Sequence, residues 1–151
     1  MKALIAIAVL SATILSADAA RWVRANVYFR GWHTERYVAL SPEGLREEAR
    51  HGYSRSAHIR STPQLQQLLT VLDLARLHPL RGDTRSDTEL VVDLFESGGA
   101  RTTYRGDNRC LWSADCTRGR EVDERFRKFF DQLVPNRSNQ SLQSTAGRCD
   151  E

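Results

Sequence analysis

Lysine is nearly absent from this chain, since Lys2 and Lys128 are the only lysines among 22 basic residues. So large an excess of arginine is typical of a GC-rich coding genome and by itself indicates no guanidinium chemistry. Long apolar runs are also scarce, and a mean hydropathy of -0.50 excludes a polytopic membrane protein. The 151 residues, with 8% aromatic residues and a net charge of +3, suit one small domain rather than two domains or a disordered chain.

Catalytic and ligand-binding signatures are missing as well. The sequence has no nucleophile elbow, no HExxH helix and no glycine loop of the kind that cradles phosphate. The acidic residues between Asp83 and Asp93 lack the spacing of a calcium loop, and the cysteines lack the CxxC spacing of a zinc site. We therefore predict neither a metal nor a cofactor.

The first residues have the three parts of a secretory signal. Met1 and Lys2 form a short positive start, and an apolar run follows from Ala3 to Leu15. Ala17 and Ala19 then supply the small-x-small pattern of a cleavage site. The run is shorter than the roughly 20 residues that span a bilayer, so a cleaved signal is favoured over an anchor. We predict a signal peptide over 1–19, a periplasmic or secreted bacterial protein, and no integral membrane span after cleavage.

Three cysteines lie near the end of the sequence. In an oxidising compartment Cys110 and Cys116 are close enough in sequence to close a short disulfide loop, which is the pairing that we predict. The alternative is that they remain free thiols. Cys149 either is unpaired or joins two copies of the chain in a dimer.

Apolar periodicity and turn residues outline an α+β domain over 20–135, followed by a disordered polar tail over 136–151. We predict an antiparallel sheet of two hairpins plus a short strand, packed by two main amphipathic helices. The hairpins comprise 22–30 with 35–40 and 89–95 with 101–104, and the short strand comprises 55–60. A short helix begins at Ser41-Pro42, and the two main helices run from Thr62-Pro63 to His78-Pro79 and over 121–134.

The first strand offers a candidate binding surface. Alternation along 22–30 places Val23, Ala25, Val27 and Phe29 on one face, which is suited to a core. The opposite face carries Trp22, Arg24, Asn26, Tyr28 and Arg30. Aromatic rings interleaved with guanidinium groups can stack on planar groups and hold anions, so we predict binding through Trp22, Arg24, Tyr28 and Arg30. In the alternative interpretation another element covers the two rings, and the arginine stems pack over them.

These observations support two function hypotheses. The first is an exported, non-catalytic binding protein, for example an inhibitor or an immunity-type module, whose partner is a protein or an anionic polymer. The alternative is a small secreted hydrolase of the nuclease type, with His33 and Glu35 as an acid–base pair and Arg30 holding phosphate. A solvated polar turn explains His33 and Glu35 equally well.

Export has a direct test. We expect the product recovered outside the cytoplasm to begin at Ala20, because Ala17 and Ala19 direct cleavage after Ala19; the alternative is cleavage after Ala20, which gives a product that begins at Arg21. Intact-mass measurement of the secreted or periplasmic protein reads the N-terminus. Recovery of a product that retains Met1 would contradict the prediction.

Overall fold

The structure is a computed structural model that describes residues 21–32, 39–80 and 87–134. These ranges contain three α-helices and one sheet of seven strands. The strands are β1 (Trp22–Phe29), β2 (Arg55–Ile59), β3 (His78–Pro79), β4 (Leu90–Glu96), β5 (Arg101–Gly106), β6 (Cys110–Ser113) and β7 (Arg118–Glu121). The helices are α1 (Pro42–Arg50), α2 (Thr62–Leu72) and α3 (Glu124–Leu133), and a 3-10 turn spans Leu74–Arg76.

Every neighbouring pair of strands in the order β2-β1-β4-β5-β6-β7-β3 is antiparallel, which confirms the predicted α+β class. The predicted partner strand of β1, 35–40, lies mostly outside the described residues, and Ala39 and Leu40 are not in a strand. Both edges of β1 are instead bonded to β2 and β4. The partners of β1 are therefore β2 and β4, which are more distant in sequence than the predicted partner, 35–40.

The hairpin of β4 and β5 forms where it was predicted. Gly99 adopts a left-handed conformation, with φ of 85°, and its N–H donates to the Glu96 carbonyl at 2.9 Å. A second hairpin, of β6 and β7, was not predicted. Its strands have only four residues each, and the sequence of β7 is Arg-Gly-Arg-Glu, which carries no apolar alternation.

One face of the sheet packs against α2 and α3, which are the two main helices that the sequence indicated. This core is apolar and fully enclosed, with Phe29, Leu68, Leu94, Phe126 and Phe130 at its centre. The side chains of α2 that face it recur at three- and four-residue spacing, as an amphipathic helix requires. Burial of this core provides the main driving force for folding.

The start of α2 lies beside β2, and its end is bonded to β7. Ser61 caps the start, since its hydroxyl accepts a hydrogen bond from the Gln64 N–H at 3.4 Å. Arg120 of β7 donates from Nε to the Leu72 carbonyl at 3.0 Å, so the helix crosses most of the sheet. The apolar pattern predicts a helix that continues to His78-Pro79, but Asp73 is left-handed, with φ of 47°, and ends it earlier.

Helix α1 lies on the opposite face of the sheet and is held there by a buried ion pair. Arg46 donates from Nε to Asp93 Oδ2 at 2.9 Å and from a terminal nitrogen to Asp93 Oδ1 at 2.7 Å. Thr103 also donates to Asp93 Oδ1, at 2.6 Å. Burial alone would lower the pKa of Arg46, but the hydrogen bonds and charge of Asp93 raise it above the ordinary value for arginine. The pair therefore joins α1 to β4, and Thr103 extends the connection to β5.

This pair yields a stability prediction. We expect Arg46→Met to lower the free energy of unfolding by about 3–5 kcal/mol, because Asp93 is only 1% exposed and would lose its countercharge. The matched control is Arg50→Met on the same helix. Arg50 pairs with Glu47 in solvent, and its loss should cost at most about 1 kcal/mol. Urea denaturation of both variants measures the difference, and equal losses would refute it.

Candidate binding face

Strand β1 carries the predicted binding residues, but a β-bulge at its start changes their placement. The pairing with β4 shifts between Trp22 and Arg24, so the strand does not alternate strictly there. Trp22 consequently joins the core at 6% exposure, while Val23 is 45% exposed. The prediction that Trp22 lies on the binding face is therefore wrong, because the extra residue of the bulge turns its ring to the other side.

Beyond the bulge the alternation holds. Arg24, Asn26 and Tyr28 lie on the face opposite the core, which we call the polar face. Strand β2 adds Ser56 and His58 beside them, since Asn26 pairs with His58 and Tyr28 pairs with Ser56. His58 Nδ1 lies 2.9 Å from Asn26 Oδ1, and Asn26 Nδ2 donates to the Tyr28 hydroxyl at 3.5 Å. The polar face thus contains a short ladder of hydrogen-bonded side chains.

Arginines line one end of the polar face. Arg24 and Arg101 flank Phe95 in the register of β1, β4 and β5, and the Arg24 guanidinium carbon lies 4.2 Å from the centre of the Phe95 ring. Arg60 follows Ile59, which pairs with Ala25, so it continues this line beyond β2. We call Arg60, Arg24 and Arg101 the arginine row. All three are exposed, and none forms an ion pair with a carboxylate of the described ranges.

The acidic residues near the row are already engaged. Glu96 pairs with Arg21 at 2.5 Å, and Asp93 is occupied by Arg46. No aspartate or glutamate occurs anywhere in the sequence 51–72, which includes β2 and α2. The end of the polar face that α1 leaves open is therefore a surface of uncompensated positive charge.

Arg30, which was predicted both for binding and for catalysis, does not lie on this open surface. Its side chain is only 3% exposed, and its guanidinium donates to Asp87 at 2.5 Å. The same carboxylate accepts a hydrogen bond from the Leu40 N–H at 2.8 Å. Arg30 thus joins the end of β1 to two neighbouring segments. His33 and Glu35 lie outside the described residues, so the catalytic hypothesis stays a prediction.

The predicted disulfide between Cys110 and Cys116 is wrong, because both thiols are free. Cys110 begins β6, whereas Cys116 lies in the turn after it, with φ of 56°. The Cys116 N–H donates to the Ser113 carbonyl at 2.9 Å, so Cys116 stays at the far end of β6 from Cys110. The strand between them spans about 10 Å, which is beyond the reach of a disulfide. Burial raises the pKa of the Cys110 thiol, and nearby Asp107 raises it further, so this thiol is poorly reactive at neutral pH. Cys149 lies outside the described residues.

The sequence did not indicate a groove that runs between α2 and α3. Its volume is about 880 Å³, and its walls include Gln66, Gln67 and Thr70 of α2 with Lys128 and Gln132 of α3. Lys128 is paired with Glu124 at 2.8 Å. Arg125 also lines the groove, so one acidic and two basic residues give its lining a net charge of +1. Within 21–32, 39–80 and 87–134, no group of three or more His, Cys, Asp or Glu residues could hold a metal ion.

No protein-family model matches the chain, and comparison with curated proteins and with solved structures gives no significant match. None of the helices in the described ranges is long and apolar enough to cross a membrane. The binding face must therefore be interpreted from its own geometry.

Because of the bulge, the Trp22 ring lies in the core and Arg24 lies at the surface, and substitution of each residue tests this placement. We expect Trp22→Ala to lower the free energy of unfolding by about 3–5 kcal/mol, because it empties a core position. Arg24→Ala should cost at most about 1 kcal/mol, which is the value of an exposed cation–π contact. Thermal or urea unfolding measures both variants. A Trp22→Ala protein as stable as Arg24→Ala would place the ring at the surface.

Proposed function

We propose that the chain is an exported, non-catalytic binding protein that holds an acidic protein partner against the arginine row. The observation that carries the proposal is the line of three exposed arginines on the polar face, whose neighbouring carboxylates, Glu96 and Asp93, are paired with other arginines. Export is supported by the positive start, the apolar run and the Ala17-x-Ala19 pattern of the sequence. An inhibitor or an immunity-type module is a form that such a protein would take.

The chemistry of the row favours carboxylates. A guanidinium group presents a planar fork of donors that matches a carboxylate with two parallel hydrogen bonds. The Phe95 ring beneath Arg24 fixes the plane of that group and reduces the entropy lost on binding. Tyr28 and His58 add hydroxyl and imidazole groups at the edge of the same surface. Arginine and tyrosine are enriched in interfaces between proteins, which supports a protein rather than a small anion.

Binding is favoured over catalysis by the state of the side chains on this face. The carboxylates nearest the row are held by arginine, so in the described part of the chain they are not available as a general base. The ring of His58 is hydrogen-bonded to Asn26. The accessible groups on this face are the guanidinium groups of the arginine row, one of which packs on the Phe95 ring. Such groups bind a partner rather than catalyse a reaction.

Charge reversal tests the proposal. The mature protein, residues 20–151, is titrated with a fluorescent poly-L-glutamate and, separately, with poly(A) RNA. We expect Arg24→Glu/Arg101→Glu to weaken poly-L-glutamate binding at least tenfold, because each charge-assisted hydrogen bond contributes about 1.5–3 kcal/mol.

The matched control carries the same charge change on α3, where Arg125 is exposed on the other side of the sheet. Arg125→Glu/Lys128→Glu should weaken binding much less. Equal loss in both double variants would show attraction to net charge alone and overturn the proposal. Preferential binding of poly(A), lost in the Arg24→Glu/Arg101→Glu variant, would assign the row to nucleic acid instead.

A further inference from the structure

Strand β2 lies at one end of the sheet, with β1 bonded along its inner edge. In the described ranges no strand pairs with its outer edge. An edge strand exposes a row of backbone N–H and C=O groups that can pair with another chain. Proteins often protect such edges with proline or a bulge, and β2 contains neither.

The ladder geometry identifies the outward backbone groups. The Arg30 N–H donates to the Glu89 carbonyl of the segment that leads into β4, so by alternation Tyr28 and Asn26 also direct their backbone groups to β4. Ala25, Val27 and Phe29 direct their backbone groups to β2. Their partners there are Ile59, Ala57 and Arg55, respectively. The N–H and C=O groups of Ser56 and His58 therefore point outward.

The side chains at this edge are cationic. Arg60 and His58 are exposed, and Arg55 stacks over the Phe29 ring, with 4.6 Å between its guanidinium carbon and the ring centre. The sequence 51–72 contains no acidic residue, so Arg60 and His58 have no acidic neighbour within this segment, whereas Asp131 of α3 lies close enough to act on the charge of Arg55. A second copy of β2 would bring like charges together, whereas an acidic segment would neutralise them.

We infer that the outer edge of β2 binds an extended acidic segment of the partner as an added antiparallel strand. The inference rests on the proposed function and specifies how the partner is held. Backbone hydrogen bonds to Ser56 and His58 supply the affinity and the direction of the segment. Acidic side chains of the segment on the polar face reach His58 and Arg60, and the partner beyond this segment lies over Arg24 and Arg101, which are further along the sheet.

A proline substitution tests the outward hydrogen bonds. His58→Pro removes an N–H that faces solvent and leaves the ladder to β1 intact, so the strand tolerates it. The probe is a fluorescent acetylated and amidated hexapeptide of alternating glutamate and valine. We expect His58→Pro to weaken binding of this peptide at least tenfold. His58→Val, which keeps the N–H, should lose less than threefold.

A modified peptide tests the same point with the wild-type protein and does not depend on the folding of the proline variant. The hexapeptide carrying N-methyl groups on alternate amides has the same charge but cannot pair along one edge. We expect one of the two alternate methylation patterns to weaken binding at least tenfold. Unchanged affinity for both patterns would overturn strand addition.

The outcomes separate this inference from the proposed function. In one outcome, Arg24→Glu/Arg101→Glu weakens poly-L-glutamate binding while neither His58→Pro nor methylation weakens hexapeptide binding. That result would reject the added strand and keep the acidic partner. Unchanged affinity of the Arg24→Glu/Arg101→Glu variant for poly-L-glutamate would reject the proposed function itself. A dimer in sedimentation velocity that His58→Pro dissociates would show that a second copy occupies the edge, and this also overturns the inference.

Discussion

A carboxylate enclosed between two layers of a protein must be paired, and Asp93 imposes this constraint on the whole structure. It lies on β4, a strand buried on both faces, at a position where the sheet meets α1. Arg46 and Thr103 satisfy both oxygens, so the charge of Asp93 is paired and hydrogen-bonded within the fold. Helix α1 packs against β1 and β4, while Arg24, Arg60 and Arg101 remain exposed on the same face of the sheet. The buried ion pair thus joins the helix that packs on the polar face to β4 and β5, the strands that carry Phe95 and Arg101.

The sequence predicted the elements that carry their own local signals. Ser41 before Pro42 marks the start of α1, and the Ser97-Gly98-Gly99 turn marks the hairpin of β4 and β5. The strands β3, β6 and β7 lack such signals because they are only two to four residues long, and β3 and β7 are also largely polar. Their pairing is specified by neighbours rather than by their own residues, and so it could not be deduced in advance.

The candidate site was predicted in part, and the reasons are equally specific. Alternation correctly brought Arg24, Asn26 and Tyr28 together, but it failed at Trp22, since a period of two does not anticipate a bulge. His58 and Arg101 reach the site only through register with strands that are distant in sequence. The acid-free sequence 51–72 was the available signal for the charge of this region. This segment lies outside β1, whose alternation alone predicted the binding residues.

The path of α2 across the sheet has a consequence for how the chain folds. The strands β4 to β7 form a continuous meander whose pairings are local, whereas β2 and β3, which flank α2 in sequence, occupy opposite edges. Six strand spacings, or about 29 Å, separate those edges. The chain must therefore close large loops before either edge strand is seated, and high contact order of this kind slows folding. The meander offers a template to which the N-terminal strands are added, and the edge that awaits a partner is among the last parts of the sheet to be completed.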